Sequence, residues 1–116
     1  MTCSDIVDID GTIHVGAVAP YAISVDVTTD DAAFDLSTAT AGRLEVTHAN
    51  GMRSSWAAAL EASPPNLAVT ATQLRLTRTL QAGDVPDPGV LSIVPVVTMP
   101  GGEAYFETLH VEVEQP

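Results

Sequence analysis

Residues 41–60, AGRLEVTHANGMRSSWAAAL, decide the fold of this chain. Apolar and polar side chains alternate in the first half, with Leu44 and Val46 on one face and charged side chains on the other. That period is typical of a strand with one buried face. Asn50-Gly51 follows, and both residues accept the positive φ that a tight hairpin turn demands. The stretch therefore predicts two antiparallel strands joined by a short turn.

The return strand of this hairpin contains several alanines, which intrinsically favour a helix. The turn before it and Pro64 shortly after it favour a strand over residues 52–60 instead. Trp56 lies in step with Ser54 and Leu60 on one face of that strand. A single large aromatic side chain in this position predicts a core anchor.

The same period-two alternation continues along most of the chain, and Pro100-Gly101-Gly102 marks a second hairpin turn. The sequence predicts strands over residues 12–18, 21–28, 41–48, 52–60, 67–71, 74–80, 90–98 and 104–113. Short strands at this spacing indicate an all-β fold, an immunoglobulin-like antiparallel β-sandwich of seven to eight strands. We expect one domain over residues 12–116, because a chain of 116 residues can enclose one core.

Residues 1–11 precede the predicted sandwich, and we expect them to form an N-terminal arm outside it. Ile6, Val7 and Ile9 have no obvious place in the predicted core and would lie exposed on such an arm. These three residues are therefore the predicted partner interface.

Acidic residues outnumber basic ones by 15 to 4, which gives a formal net charge of -11. All four cations are arginines scattered among carboxylates, so we expect no nucleic-acid partner and no anionic membrane partner. No apolar stretch is long enough to cross a bilayer, and no secretory signal pattern is present. The single cysteine, Cys3, predicts no internal disulfide.

The stretch IVDIDGTI, residues 6–13, resembles the first motif of the haloacid dehalogenase phosphatases. That resemblance implies Asp8 as the phosphoryl-accepting nucleophile and Asp10 as the general acid/base. The chain has no lysine for the cationic role, and it lacks the alternating helix and strand pattern of a parallel doubly wound sheet. We therefore predict a non-enzymatic chain, with a phosphatase as a remote alternative.

A second acidic cluster could in principle bind calcium; it consists of Asp30, Asp31 and Asp35. An EF-hand register fails, because it would place Ile6 and Ala17 at the first and last ligand positions. An irregular calcium site between loops stays open as an alternative to solvated carboxylates. The sequence predicts no cofactor and no metal site.

From Phe34 to Val113 the order of features is similar to the small immunoglobulin-like domains of tailed-phage neck, tail and baseplate proteins, such as the N-terminal domain of upper baseplate proteins. The matching pieces are Asp35-Leu36-Ser37-Thr38-Ala39-Thr40, Ala49-Asn50-Gly51, Trp56, Thr72-Gln73-Leu74-Arg75-Leu76, Asp84, Pro88-Gly89-Val90-Leu91-Ser92-Ile93 and Pro100-Gly101-Gly102. The resemblance implies a structural virion protein that is assembled in the host cytoplasm. Its expected partners are other virion proteins, with self-association into a symmetric assembly left open.

A free-standing binding or adhesion module for a cell-surface or glycan ligand is the alternative function. Sugar-stacking platforms use exposed aromatic side chains, and the candidates here are Trp56, Tyr21 and Tyr105. Burial of all three would dismiss the glycan version.

Overall fold

The computed structural model describes residues 2–7, 13–16, 21–29, 35–63 and 66–115, with the backbone alone for 2–7 and 14. Over these residues the chain is all-β, with one short 3₁₀ helix at Leu36–Thr38. The strands are β1 (Thr2–Val7), β2 (Ile13–His14), β3 (Ala22–Thr28), β4 (Ala41–Thr47), β5 (Arg53–Glu61), β6 (Gln73–Thr79), β7 (Gly89–Met99), β8 (Gly102–Tyr105) and β9 (Leu109–Glu114). None of the described residues belongs to a helix long and apolar enough to cross a membrane.

The strands follow one another in the order β1-β3-β6-β5-β4-β7-β9-β2, with β8 also paired to β7. Strand β5 joins two halves, because Arg53 to Ala58 face β4 whereas Ala59 to Glu61 pair with β6. We call β1, β3, β6 and the end of β5 sheet 1, and the start of β5 with β4, β7, β8, β9 and β2 sheet 2. All described pairings are antiparallel except β2 with β9. The predicted fold class, an all-β fold of the sandwich kind, is confirmed.

The core lies between the inner faces of the two sheets. Sheet 1 contributes Ile23, Val25, Val27, Leu74 and Leu76, and sheet 2 contributes Leu44, Val46, Leu91, Ile93, Val111 and Val113, all buried in one cluster. Gly42 lets β4 approach this cluster where β5 crosses between sheets, since a Cβ there would lie 2.3 Å from Leu76 Cδ2 and 2.9 Å from Leu60 Cδ2.

The Asn50-Gly51 turn forms as the sequence predicts. The His48 amide donates to the Met52 carbonyl at 2.7 Å, and the Gly51 amide donates to the His48 carbonyl at 2.9 Å. Gly51 has a φ of 90°, a left-handed value that glycine adopts without strain. The alanine-rich return segment is strand β5, so the prediction of a strand over a helix is confirmed.

The predicted strand at residues 67–71 is wrong. The end of this segment forms a turn instead of a strand. The Thr70 amide donates to the Gln73 carbonyl at 3.1 Å, and Thr70 Oγ1 accepts from the Gln73 amide at 3.0 Å. The Ala71 carbonyl accepts from the Leu36 amide, outside any sheet. Leu67 is fully exposed, so the alternation around it does not mark a buried face.

The predicted strand at residues 104–113 is interrupted by a β-bulge. Val96 pairs with Tyr105, but Ile93 pairs with Leu109, so three residues oppose two on β7. Pro95 has no amide to donate in this stretch, and its carbonyl accepts from the Phe106 amide at 3.0 Å. The extra residue shifts the alternation by one position, which turns Tyr105 outward and Phe106 into the core.

The predicted N-terminal arm also differs from the structure. Thr2–Val7 pair antiparallel with Thr28–Ile23 of β3 over their whole length, so these residues form an edge strand of sheet 1. The predicted interface residues Ile6 and Val7 lie on this strand, opposite Ser24 and Ile23, while Ile9 lies outside the described residues. The partner interface at these residues stays a prediction. The backbone groups of β3 explain the pairing, since β6 satisfies only one side of that strand.

Candidate protein interface

Four strands of sheet 2 share one outer surface. In register order, the β5, β4 and β7 rows read Arg53–Thr47–Ser92, Ser55–Glu45–Val94 and Ala57–Arg43–Val96, and β8 extends them with Tyr105 beside Val96 and Glu103 beside Thr98. Residues opposite one another on paired strands share a face, and the residues between them point into the core. We call this surface the sheet 2 outer face.

Arg43 organises the middle of this face. Its Nε donates to Glu45, its Nη1 donates to Glu103, and its Nη2 donates to the Tyr105 hydroxyl at 3.2 Å. The guanidinium carbon lies 5.9 Å from the centroid of the Tyr105 ring. Val96 is fully buried although it lies on the outer face, with Arg43 and Tyr105 on either side of it in register.

The two glutamates beside Arg43 are held by further hydroxyl donors. Ser55 Oγ donates to Glu45 at 3.1 Å, and Thr98 Oγ1 and the Tyr105 hydroxyl each donate to Glu103 at 3.3 Å. Hydrogen bonds from Arg43 hold the pKa of Glu103 below its usual value, and bonds to Glu103 and then Glu45 raise the pKa of Arg43 above its own. Arg43 and Glu103 therefore form a charged pair at neutral pH, and the two glutamates outnumber the one arginine of this cluster.

A groove of about 490 Å³ runs beside this cluster. Its lining includes Arg53, Thr47 and Val94, and Tyr105 forms one wall. Arg43, Arg75 and Arg78 each form an ion pair with a carboxylate. No such pair involves Arg53 among the described residues, so the groove offers an exposed arginine beside Val94.

Trp56 lies at one end of the core and is 3% exposed. The Arg78 guanidinium carbon lies 5.7 Å from its ring centroid, and the His48 ring meets it edge-on at 6.5 Å. Asp84 accepts two bonds from Arg78, at 3.0 and 3.1 Å, and one from the Gln81 amide at 2.9 Å. This ion pair is largely buried, and its polar atoms are satisfied where they meet the core.

Two of the three aromatic candidates for a sugar platform are exposed, Tyr21 by 50% and Tyr105 by 54%, while Trp56 is buried. Tyr21 directly precedes β3 of sheet 1, and Tyr105 lies on the outer face of sheet 2. The two tyrosines therefore belong to different sheets and do not form one stacking surface.

The structure leaves the phosphatase residues untested, because Asp8 and Asp10 lie outside the described residues. Strands β1 and β2, which come before and after these residues in the chain, belong to an almost wholly antiparallel arrangement. The phosphatase motif that the stretch resembles lies instead in a parallel sheet flanked by helices. Asp30 and Asp31 also lie outside the described residues, and Asp35 accepts from the Ser37 amide at 3.0 Å to cap the 3₁₀ helix. Within the described part of the chain, no three His, Cys, Asp or Glu side chains are grouped to hold a metal ion.

Sequence reasoning missed the group formed by Arg43, Glu103 and Tyr105. Arg43 and Glu103 are 60 positions apart, and no motif links them. Tyr105 belongs to this group because the bulge in the last strand places its side chain on the outer face of sheet 2. A comparison of the chain with protein-family models, with curated proteins and with solved structures found no match.

Proposed function

We propose that this chain is a non-enzymatic assembly subunit that acts through protein–protein contacts, as a structural protein of a tailed-phage virion. The observation that carries the assembly role is the sheet 2 outer face, where a half-exposed Tyr105 stands over Arg43 beside a groove that also contains the exposed Arg53. Tyrosine and arginine are among the side chains enriched at protein interfaces. The virion part of the proposal is supported by the sequence resemblance described above.

The charge distribution supports the same role. The chain carries a net charge of -11, which repels other acidic surfaces at long range. On the sheet 2 outer face, Arg43 and Arg53 balance Glu45 and Glu103. A partner can approach this face without the repulsion that the rest of the surface imposes, so the net charge favours one docking orientation.

The test is quantitative mass spectrometry of washed particles from cells in which the chain is expressed by its own virus. We expect the chain to remain at a fixed ratio to the major capsid protein, equal to a symmetric copy number. A non-structural protein from the same lysate is the control and should be washed away. Loss of the chain together with that control would refute the virion role.

A matched pair of variants tests whether the sheet 2 outer face makes the contact. Tyr105→Ser removes the exposed ring from this face, and Tyr21→Ser removes a similarly exposed ring from the residue before β3 in sheet 1. We expect Tyr105→Ser to lower the copy number in particles and Tyr21→Ser to leave it unchanged. Equal incorporation of both variants would show that assembly does not use this face.

A further inference from the structure

We infer that the sheet 2 outer face binds the same face of a second copy of this chain, related by a two-fold axis. This inference rests on the proposed assembly function and names the first partner in it. It starts from the one arginine without a carboxylate partner among the described residues, Arg53.

The positions of the charges make the face self-complementary. Arg53 lies at one corner of the four-strand surface, on β5, and Glu103 lies at the diagonally opposite corner, on β8. A two-fold axis that lies in the plane of the face and perpendicularly bisects the line from Arg53 to Glu103 places Arg53 of each copy against Glu103 of its neighbour. The pairing therefore occurs twice in one isologous contact.

The same rotation brings the shapes together. It places Tyr105 of each copy on Thr47 of the other, which lies in the groove beside Arg53. Val94 lies near the axis, close to its own counterpart. The exposed ring therefore enters the groove of the other copy, where Val94 offers an apolar contact and Arg53 a guanidinium for the ring to stack on.

The size of the face sets the strength of the contact. Four strands spaced about 4.8 Å apart and at most seven residues rising about 3.3 Å each cover no more than roughly 19 by 23 Å, or about 900 Å² over both copies. That area is below the standard size of a stable interface and corresponds to a weak dimer. Weak contacts of this kind become effective when many copies are held in one assembly.

Sedimentation equilibrium of the purified chain from about 10 to 500 µM tests the inference. We expect the weight-average mass to rise with concentration from the monomer value of 12.0 kDa towards twice that value. Arg53→Glu opposes Glu103 with a like charge and should raise the dissociation constant by at least about tenfold, whereas Arg53→Lys keeps the charge and should change it by less than about threefold.

A comparison of two tyrosine variants tests whether the dimer forms through this face or through another one. Tyr105→Ser should weaken the dimer by at least about tenfold, and Tyr21→Ser should leave it unchanged. Urea unfolding of each variant checks that the chain is folded, so that a loss of association reports on the interface. Equal weakening by the two serine variants would place the dimer on another face and overturn the inference.

Two further outcomes separate this inference from the proposed function. A chain that stays monomeric up to about 500 µM, but is lost from particles by Tyr105→Ser, would show that this face binds a different protein; the dimer is then refuted and the assembly role stands. A chain that dimerises through this face but is absent from washed particles would refute the virion role and leave the dimer intact.

Discussion

Removal of the Asp84 carboxylate should destabilise the fold more than removal of any exposed carboxylate. Asp84 is the ion-pair partner of Arg78, whose guanidinium lies over the buried Trp56 ring. The Arg78 and Asp84 side chains are 13% and 9% exposed, and the carboxylate accepts two bonds from the guanidinium and one from the Gln81 amide. Asp84→Ala leaves the Arg78 charge beside Trp56 without its partner. Breaking a buried ion pair from one side costs about 3–5 kcal/mol, and partial exposure places the expected loss near 3 kcal/mol.

Urea unfolding at pH 7 measures this loss. In thermal unfolding we expect a fall in Tm of about 12 °C, since about 1 kcal/mol shifts Tm by roughly 4 °C in a domain of this size. Asp87→Ala is the matched control from the same loop; its carboxylate is exposed and accepts one bond from Asn50 at 3.3 Å, so its effect should stay within about 0.5 kcal/mol.

A double-mutant cycle with Arg78→Met isolates the pair itself. We expect a coupling energy of about 2 kcal/mol, because methionine fills the space of the arginine stem and removes the unpaired charge. Two results would refute the reasoning: a coupling energy near zero, or a loss for Asp84→Ala no larger than the loss for Asp87→Ala. Either would show that the ion pair does not hold this end of the core.

Two further predictions concern packing and pH. Gly42→Val should lower the free energy of unfolding by at least about 1–3 kcal/mol in urea titrations, because its first added carbon would lie 2.3 Å from Leu76 Cδ2, whereas Gly101→Ala has open space and should have little effect. The pKa of Glu103 lies below its usual value through its bonds to Arg43, so the stability from this pair is present above the unfolded pKa of the carboxyl and is lost as pH falls through the folded pKa. Carboxyl NMR titration should show the Glu103 pKa return towards its usual value in Arg43→Gln, and an unchanged pKa in that variant would contradict the assigned cause.

The last strand shows where alternation alone misleads. Its sequence alternates without interruption from Tyr105 to Val113, and that pattern places Tyr105 on the same face as Leu109. The structure inserts a bulge between them, because the partner strand carries Pro95 and cannot donate an amide there. A property of the neighbouring strand therefore decides the face on which Tyr105 lies.

Local chemistry determined a large part of this fold. Asn50-Gly51 specifies its turn because Gly51 adopts a positive φ and the Asn50 side chain accepts from the Met52 amide at 2.9 Å. The alternation around the turn specifies two half-buried strands, because side chains on a strand alternate with a period of two. The burial of Trp56 was predicted from the same period, since this residue lies in step with the inward residues of its strand. Each of these features depends on residues that are close together in the chain.

Only the tertiary structure decided how those strands meet. The edge pairing of β1 with β3, the passage of β5 from one sheet to the other, and the contact of Arg43 with Glu103 and Tyr105 all join residues far apart in sequence. Such contacts depend on which backbone edges remain unpaired and on the register between strands, and neither quantity is encoded in a local window. The candidate interface therefore became visible only when the register placed its charges and its exposed ring on one face.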